Sequence, residues 1–127
     1  MNEIETFILT AITLVLVDST YLYLIKHYFA NQIYIIQGTN MSLHLLATIM
    51  CYILLVSGLY YFIIKNKKSV LDAFILGIII YGVFETTNKA LFTKWKWMTV
   101  LIDSLWGGIL FAVTTFIIQK VFKSKSI

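Results

Sequence analysis

Four stretches of the chain stay apolar for about 20 residues each, the length an α-helix needs to cross about 30 Å of hydrocarbon. They run approximately over Ile4–Ile25, Leu43–Ile64, Val70–Phe92 and Met98–Gln119. In a chain of 127 residues that leaves only short connections. Charged residues make up 13% of the sequence, against about 25% in soluble domains, too few to cover a water-soluble globule. A content of 60% hydrophobic residues excludes a disordered chain, and one cysteine, Cys51, excludes a disulfide-stapled module. The apolar runs are continuous rather than alternating, which excludes a β-barrel. The expected architecture is an all-α integral membrane bundle of four transmembrane helices in a single transmembrane domain. With no proline in the sequence, the helices are expected to be fairly straight.

The first run does not read as a signal peptide. Its leader, MNEIE, is acidic, Asp18 follows the apolar core, and no clear small-residue cleavage site appears. The segment Lys26–Ser42, rich in Tyr, Phe and Ile, is expected to lie along the membrane surface. Thr93–Trp97 reads as a tight turn whose Trp95 and Trp97 belong to an aromatic belt. Four spans put both termini on one side of the membrane. Lys65, Lys67, Lys68, Lys120, Lys123 and Lys125 share that side, and Lys26, Lys89, Lys94 and Lys96 lie on the other. The bias predicts cytoplasmic termini in a cell (inner) membrane protein. It is small enough to leave dual topology, with antiparallel dimers, as an alternative. The net charge of +4 resides in lysines flanking the spans, not in a binding stripe. The expected partner is therefore the lipid bilayer and not nucleic acid.

Carboxylates within a span are costly and point to function by default. Asp18 lies about two turns before the outer end of the first span, and Glu85 about two turns before that of the third. Asp103 follows the outer start of the fourth by about one and a half turns. All three belong to the outer half at similar depth and are expected to be neighbours. Asp72, at the start of the third span, reads as helix electrostatics. Gly77, Tyr81, Glu85 and Asn88 share one face of the third helix, and Lys89 follows Glu85 by four residues, the favourable order for an ion pair. Ala73 and Gly77, like Gly107–Gly108, would let helices approach closely. Asp103, Trp106 and Gly107 share a face, so Trp106 either donates its indole N–H to a carboxylate or fills the core. Tyr21, one turn after Asp18, would join its network. His44, at the outer start of the second span, is either an interfacial histidine bonded to water or a proton-exchange partner of the acids. His27 and His44 lack metal-ligand spacing, and no metal, nucleotide or nucleophile motif is present, so no cofactor is expected.

Three acids at one depth cannot all be ionised cheaply, and their titrations are expected to be coupled. Such a cluster suits a proton or cation relay, acid–base chemistry on a lipid or isoprenoid-like substrate, or binding of a cationic ligand between Tyr81 and Trp106. The leading expectation is transport of protons, cations or small cationic solutes, for which a homodimer would supply the room a single bundle lacks. The alternatives are a membrane enzyme using paired carboxylates and a non-catalytic scaffold. A cavity open to outer water would favour transport or binding, a cleft open to lipid an enzyme, and acids sealed by Lys89, Asn88 and tyrosine hydroxyls a scaffold.

The segments YGVFETTNKALFTKW (Tyr81–Trp95), DSLWG (Asp103–Gly107) and VDSTYLY (Val17–Tyr23) resemble the small bacterial membrane family called domain of unknown function 2177. The likeness covers nearly the whole chain. It implies four helices, with Glu85 standing where aspartate is common, and it implies no activity, cofactor or substrate.

Overall fold

The computed structural model describes residues 2–125, with side chains to residue 122. The side chains of Lys123 and Lys125, counted above in the lysine bias, lie outside the described residues. Four helices follow one another: α1 (Glu3–Gln37), α2 (Leu45–Leu59), α3 (Val70–Leu91) and α4 (Trp97–Lys125). All are long and apolar enough to span a bilayer, α2 together with the turn that extends it to Ile64. This is a multi-pass, all-α membrane protein.

The first helix corrects the sequence reading. Hydropathy falls at Lys26, yet the helix continues unbroken for 35 residues, about 52 Å at 1.5 Å per residue. The segment expected to lie on the membrane surface is therefore the upper third of α1. Nothing between Lys26 and Gln37 breaks a helix, and the stop is Gly38, whose φ of 76° closes the helix with its N–H donating to the Tyr34 carbonyl at 2.8 Å. At the other end Asn2 caps the helix, its side chain accepting from the Glu5 N–H at 2.8 Å, and Glu3 and Glu5 favour the positive end of the helix dipole. Glu3 also pairs with Lys65 across the terminal end of the bundle, at 3.6 Å.

The absence of proline did not keep every helix regular. At the end of α2, Tyr60–Ile64 form a π-helical turn. Its hydrogen bonds reach back five residues, from the Lys65 N–H to Tyr60 and from the Lys68 N–H to Ile63. Ser69 then caps α3 by accepting from the Asp72 N–H, and Asp72 stays exposed in the first turn, where the dipole favours it.

The tightest packing is between α3 and α4, and α1 packs on both α4 and α2. Glycine sets the α3–α4 distance. A Cβ on Gly77 would fall on the Gly107 carbonyl, and one on Gly107 would fall on the Tyr81 ring. Close approach of this kind is how membrane helices gain packing energy without a hydrophobic drive between them. Leu14, Val56, Leu59, Ile63, Ala73, Leu110, Phe111 and Ile118 fill the bundle toward the terminal end. Between α2 and α3 there is no comparable contact, and a gap remains there. Replacing Gly77 or Gly107 by leucine is expected to cost more than the about 1–3 kcal/mol typical of overpacking, because backbone rather than a flexible side chain blocks the added atoms at Gly77. Gly58→Ala, at a position with open space around it, is the control. Thermal melting in detergent should show a large loss for the first two variants and almost none for the third.

Candidate functional site

The three carboxyls are drawn inside by helix geometry. Each lies on the buried face of its helix: Glu85 is 0% exposed, Asp18 6% and Asp103 7%. Aromatic N–H and O–H groups supply the partners the membrane cannot. The Trp106 Nε1–H donates to Asp18 Oδ1 at 2.8 Å, and the Tyr52 hydroxyl donates to Asp18 Oδ2 at 2.6 Å. The Tyr21 hydroxyl donates to Asp103 Oδ1 at 3.2 Å. The Trp95 Nε1–H donates to Glu85 Oε1 at 2.8 Å.

The acids form a row rather than a triad. Glu85 and Asp103 are neighbours close enough for their charges to interact, and Glu85 Oε2 has no hydrogen-bond partner among the described residues. Asp18 stands one aromatic layer away, because the indole that serves it, Trp106, stacks on the Tyr21 ring that serves Asp103, with centroids 4.4 Å apart and planes within 5°. Among the described residues no group of three acid, His or Cys side chains is arranged to hold a metal ion.

Several expectations are corrected here. Lys89 does not pair with Glu85: its Nζ donates to the Thr93 carbonyl at 3.2 Å and lies over the Trp97 ring. The carboxyl points into the bundle, and the long lysine stem carries its ammonium to the boundary. Asn88 is half-buried on the same helix, but among the described residues its side chain bonds to none of the acids. Trp95 is not a belt residue. It is 4% exposed and covers Glu85, whereas Trp97 is 68% exposed and remains a belt candidate. His44 caps α2, its Nδ1 accepting from the Ala47 N–H at 3.2 Å, which leaves Nε2 to carry the ring proton. Trp106 takes the first of its two readings, donating its indole N–H to Asp18, and Tyr21 bonds Asp103 rather than the expected Asp18. The Tyr81 hydroxyl donates to none of the carboxyls; its ring packs on Gly107.

Tyr52 and Trp95 were not singled out from the sequence as partners of the acids. Tyr52 left a faint mark, a polar tip within an apolar span. Trp95 left none, because its place over Glu85 depends on how the α3–α4 turn folds back. The upper third of α1 holds that turn. Gln32, 1% exposed, accepts from the Lys96 N–H at 3.0 Å and from the Thr99 hydroxyl at 2.9 Å, and Tyr28 bonds Thr99 at 2.8 Å. These contacts satisfy free groups at the start of α4.

Two adjoining grooves reach the acids. One, of about 680 Å³, runs between α2 and α3, lined by Met50, Leu54, Ile80 and Phe84, with Asp103 as its acid. The other, of about 400 Å³, lies between α1 and α2 and is lined by Asp18, Ser42, His44, Thr48 and Tyr52. Ala47, Cys51, Leu55 and Tyr81 line both.

With this geometry in place, comparison with known proteins is informative on one point. The family model described as a predicted membrane protein, DUF2177, matches residues 3–119. The chain belongs to this family. The match spans the four helices up to Gln119 and includes the three acids and their aromatic donors. No curated protein and no solved structure matches the chain.

Trp95→Phe is expected to destabilise the DUF2177 protein by about 1–3 kcal/mol, the usual cost of leaving a buried acceptor unpaired. The double variant Trp95→Phe/Glu85→Leu should recover much of that loss, since both polar partners are then gone. Lys89→Ala should cost no more than about 1 kcal/mol, the usual net worth of a single hydrogen bond. Denaturation midpoints of the purified variants check all three.

Proposed function

We propose that this protein is a membrane-embedded binding and proton-exchange protein whose ligand reaches the carboxyls sideways from the bilayer. The observation that carries this reading is Asp103, which adjoins Glu85 and also lines the groove between α2 and α3. Neighbouring carboxyls can hydrogen-bond when they hold one proton between them. The pair is then one group that gives a proton and one that takes it, the minimum for acid–base work on a bound molecule. Among the described residues no lysine lines either groove, so a cationic ligand would meet acids that no lysine neutralises.

A path straight through the bundle is less favoured. Leu14, Leu110 and Phe111, all fully buried, close the interior on the terminal side of Asp18, among the buried hydroxyls of Thr10, Thr114 and Thr115. The lipid-side opening instead favours the reading in which paired carboxyls act on, or hold, a lipid-like molecule.

Dicyclohexylcarbodiimide tests the site, because this apolar reagent reacts with membrane carboxyls that carry a proton. Treatment of the protein in nanodiscs followed by peptide mass spectrometry should place the adduct on Asp103 or Glu85, and Asp103→Asn together with Glu85→Gln should remove it. A chain left unmodified at both positions would make the acids a sealed structural network and end the proposal. For topology, we place both termini in the cytoplasm, on the strength of the lysines at that end. Reporter fusions at residue 127 should be active only as cytoplasmic reporters, and equal activity of both reporter types would indicate dual topology.

A further inference from the structure

The two grooves are one space seen from two sides of α2. Ala47, Cys51, Leu55 and Tyr81 belong to both, so the first half of α2 stands away from the other helices and two acids from different helices face the cavity behind it. The two ends of this space differ in chemistry. Toward α3 the lining is hydrocarbon, from Met50, Leu54, Ile80 and Phe84. Toward α1 and the segment before α2 it is polar, from Ser42, His44, Thr48 and Tyr52. Asp103 lines the α3 side and Asp18 the α1 side, and Tyr81 lines both.

We infer that this space binds a single-chain amphiphile with an ammonium head, the tail lying between α2 and α3 and the head beside Tyr81 between Asp103 and Asp18. The inference rests on the proposed lipid-side site and names its ligand class. Charge complementarity selects the head. Both acids are reached, no lysine among the described residues lines the space, and the protein's own donors to them are neutral indoles and phenols. An ammonium adds the positive charge that the indole and the phenols do not supply, and the Tyr81 ring offers it an electron-rich face. The hydrocarbon end selects the tail: a hydrated inorganic cation would gain nothing from Leu54, Ile80 and Phe84. The volumes fall within the about 300–1,000 Å³ of ordinary ligand sites, room for one chain rather than a two-chain lipid.

Cys51 provides the test, because it is the only cysteine in the chain, is exposed, and lines both grooves. Its alkylation by a maleimide is followed in phosphatidylcholine nanodiscs, alone and with hexadecylamine, hexadecanol or palmitate at equal mole fraction. Hexadecylamine is expected to slow the reaction about tenfold at ten times its dissociation constant, by mass action, and the alcohol and the acid should do far less. Asp103→Asn and Asp18→Asn, each compared with its own rate without amine, should lose the protection. Leu54→Trp, which fills the lipid-facing end without touching an acid, should lose it too and serves if the aspartate variants do not fold. Equal protection by all three amphiphiles would overturn the ammonium assignment, and protection by none would overturn the occupancy. In either case carbodiimide labelling in the same preparation separates the failures. An adduct on Asp103 or Glu85 means that the lipid-side site stands and only this ligand assignment fails, and an adduct on neither means that the lipid-side site falls with it.

Discussion

A carboxyl inside a bilayer must find its hydrogen bonds within the protein, and much of this fold is arranged around that requirement. Asp18, Glu85 and Asp103 sit on three helices, and each takes at least one hydrogen bond from a tyrosine or tryptophan. These donors come from α1, α2, α4 and the turn between α3 and α4. Satisfying three acids therefore ties all four helices together at one depth. Aromatic donors suit the task, since an indole or phenol brings a polar tip on a large apolar body and adds no buried charge of its own.

The other constraint is distance. Gly77 and Gly107 let the backbones of α3 and α4 touch, and that contact makes Glu85 and Asp103 neighbours. The same tight pair leaves α2 to one side. Held to α1 in its second half and through Tyr52, α2 does not close against α3, and the resulting gap leads to Asp103. The glycine contact and the lipid-facing groove are thus two consequences of one packing arrangement.

The long α1 has a related role. Its extension past the span is not an idle overhang, because Gln32 and Tyr28 grip the start of α4. That grip fixes the turn from which Trp95 reaches Glu85. A residue beyond the expected end of the first span therefore bears indirectly on an acid in the third.

The four helices, their order and the membrane class were legible in the sequence, because apolar runs of spanning length admit few other folds. The three acids were legible as well: a carboxylate in such a run stands out, and counting turns put all three at one depth. Gly77 and Gly107–Gly108 could be read as close-approach points because small residues on a helix face have that use in membranes. The partners were not legible. Lys89 has the spacing of an ion pair with Glu85, but spacing along a helix does not say which way a side chain turns, and solvation draws the ammonium to the boundary. Trp95 looked like a belt residue because it stands beside the exposed Trp97 in a turn at the end of a span. The end of α1 was placed at a drop in hydropathy, whereas backbone conformation at Gly38 ends it. The sequence by itself determined that charge would be scarce and which three acids would fall inside the spans. Only the tertiary structure decided which groups hydrogen-bond them and from which side they are reached, because hydrogen bonds and grooves join residues far apart in the chain.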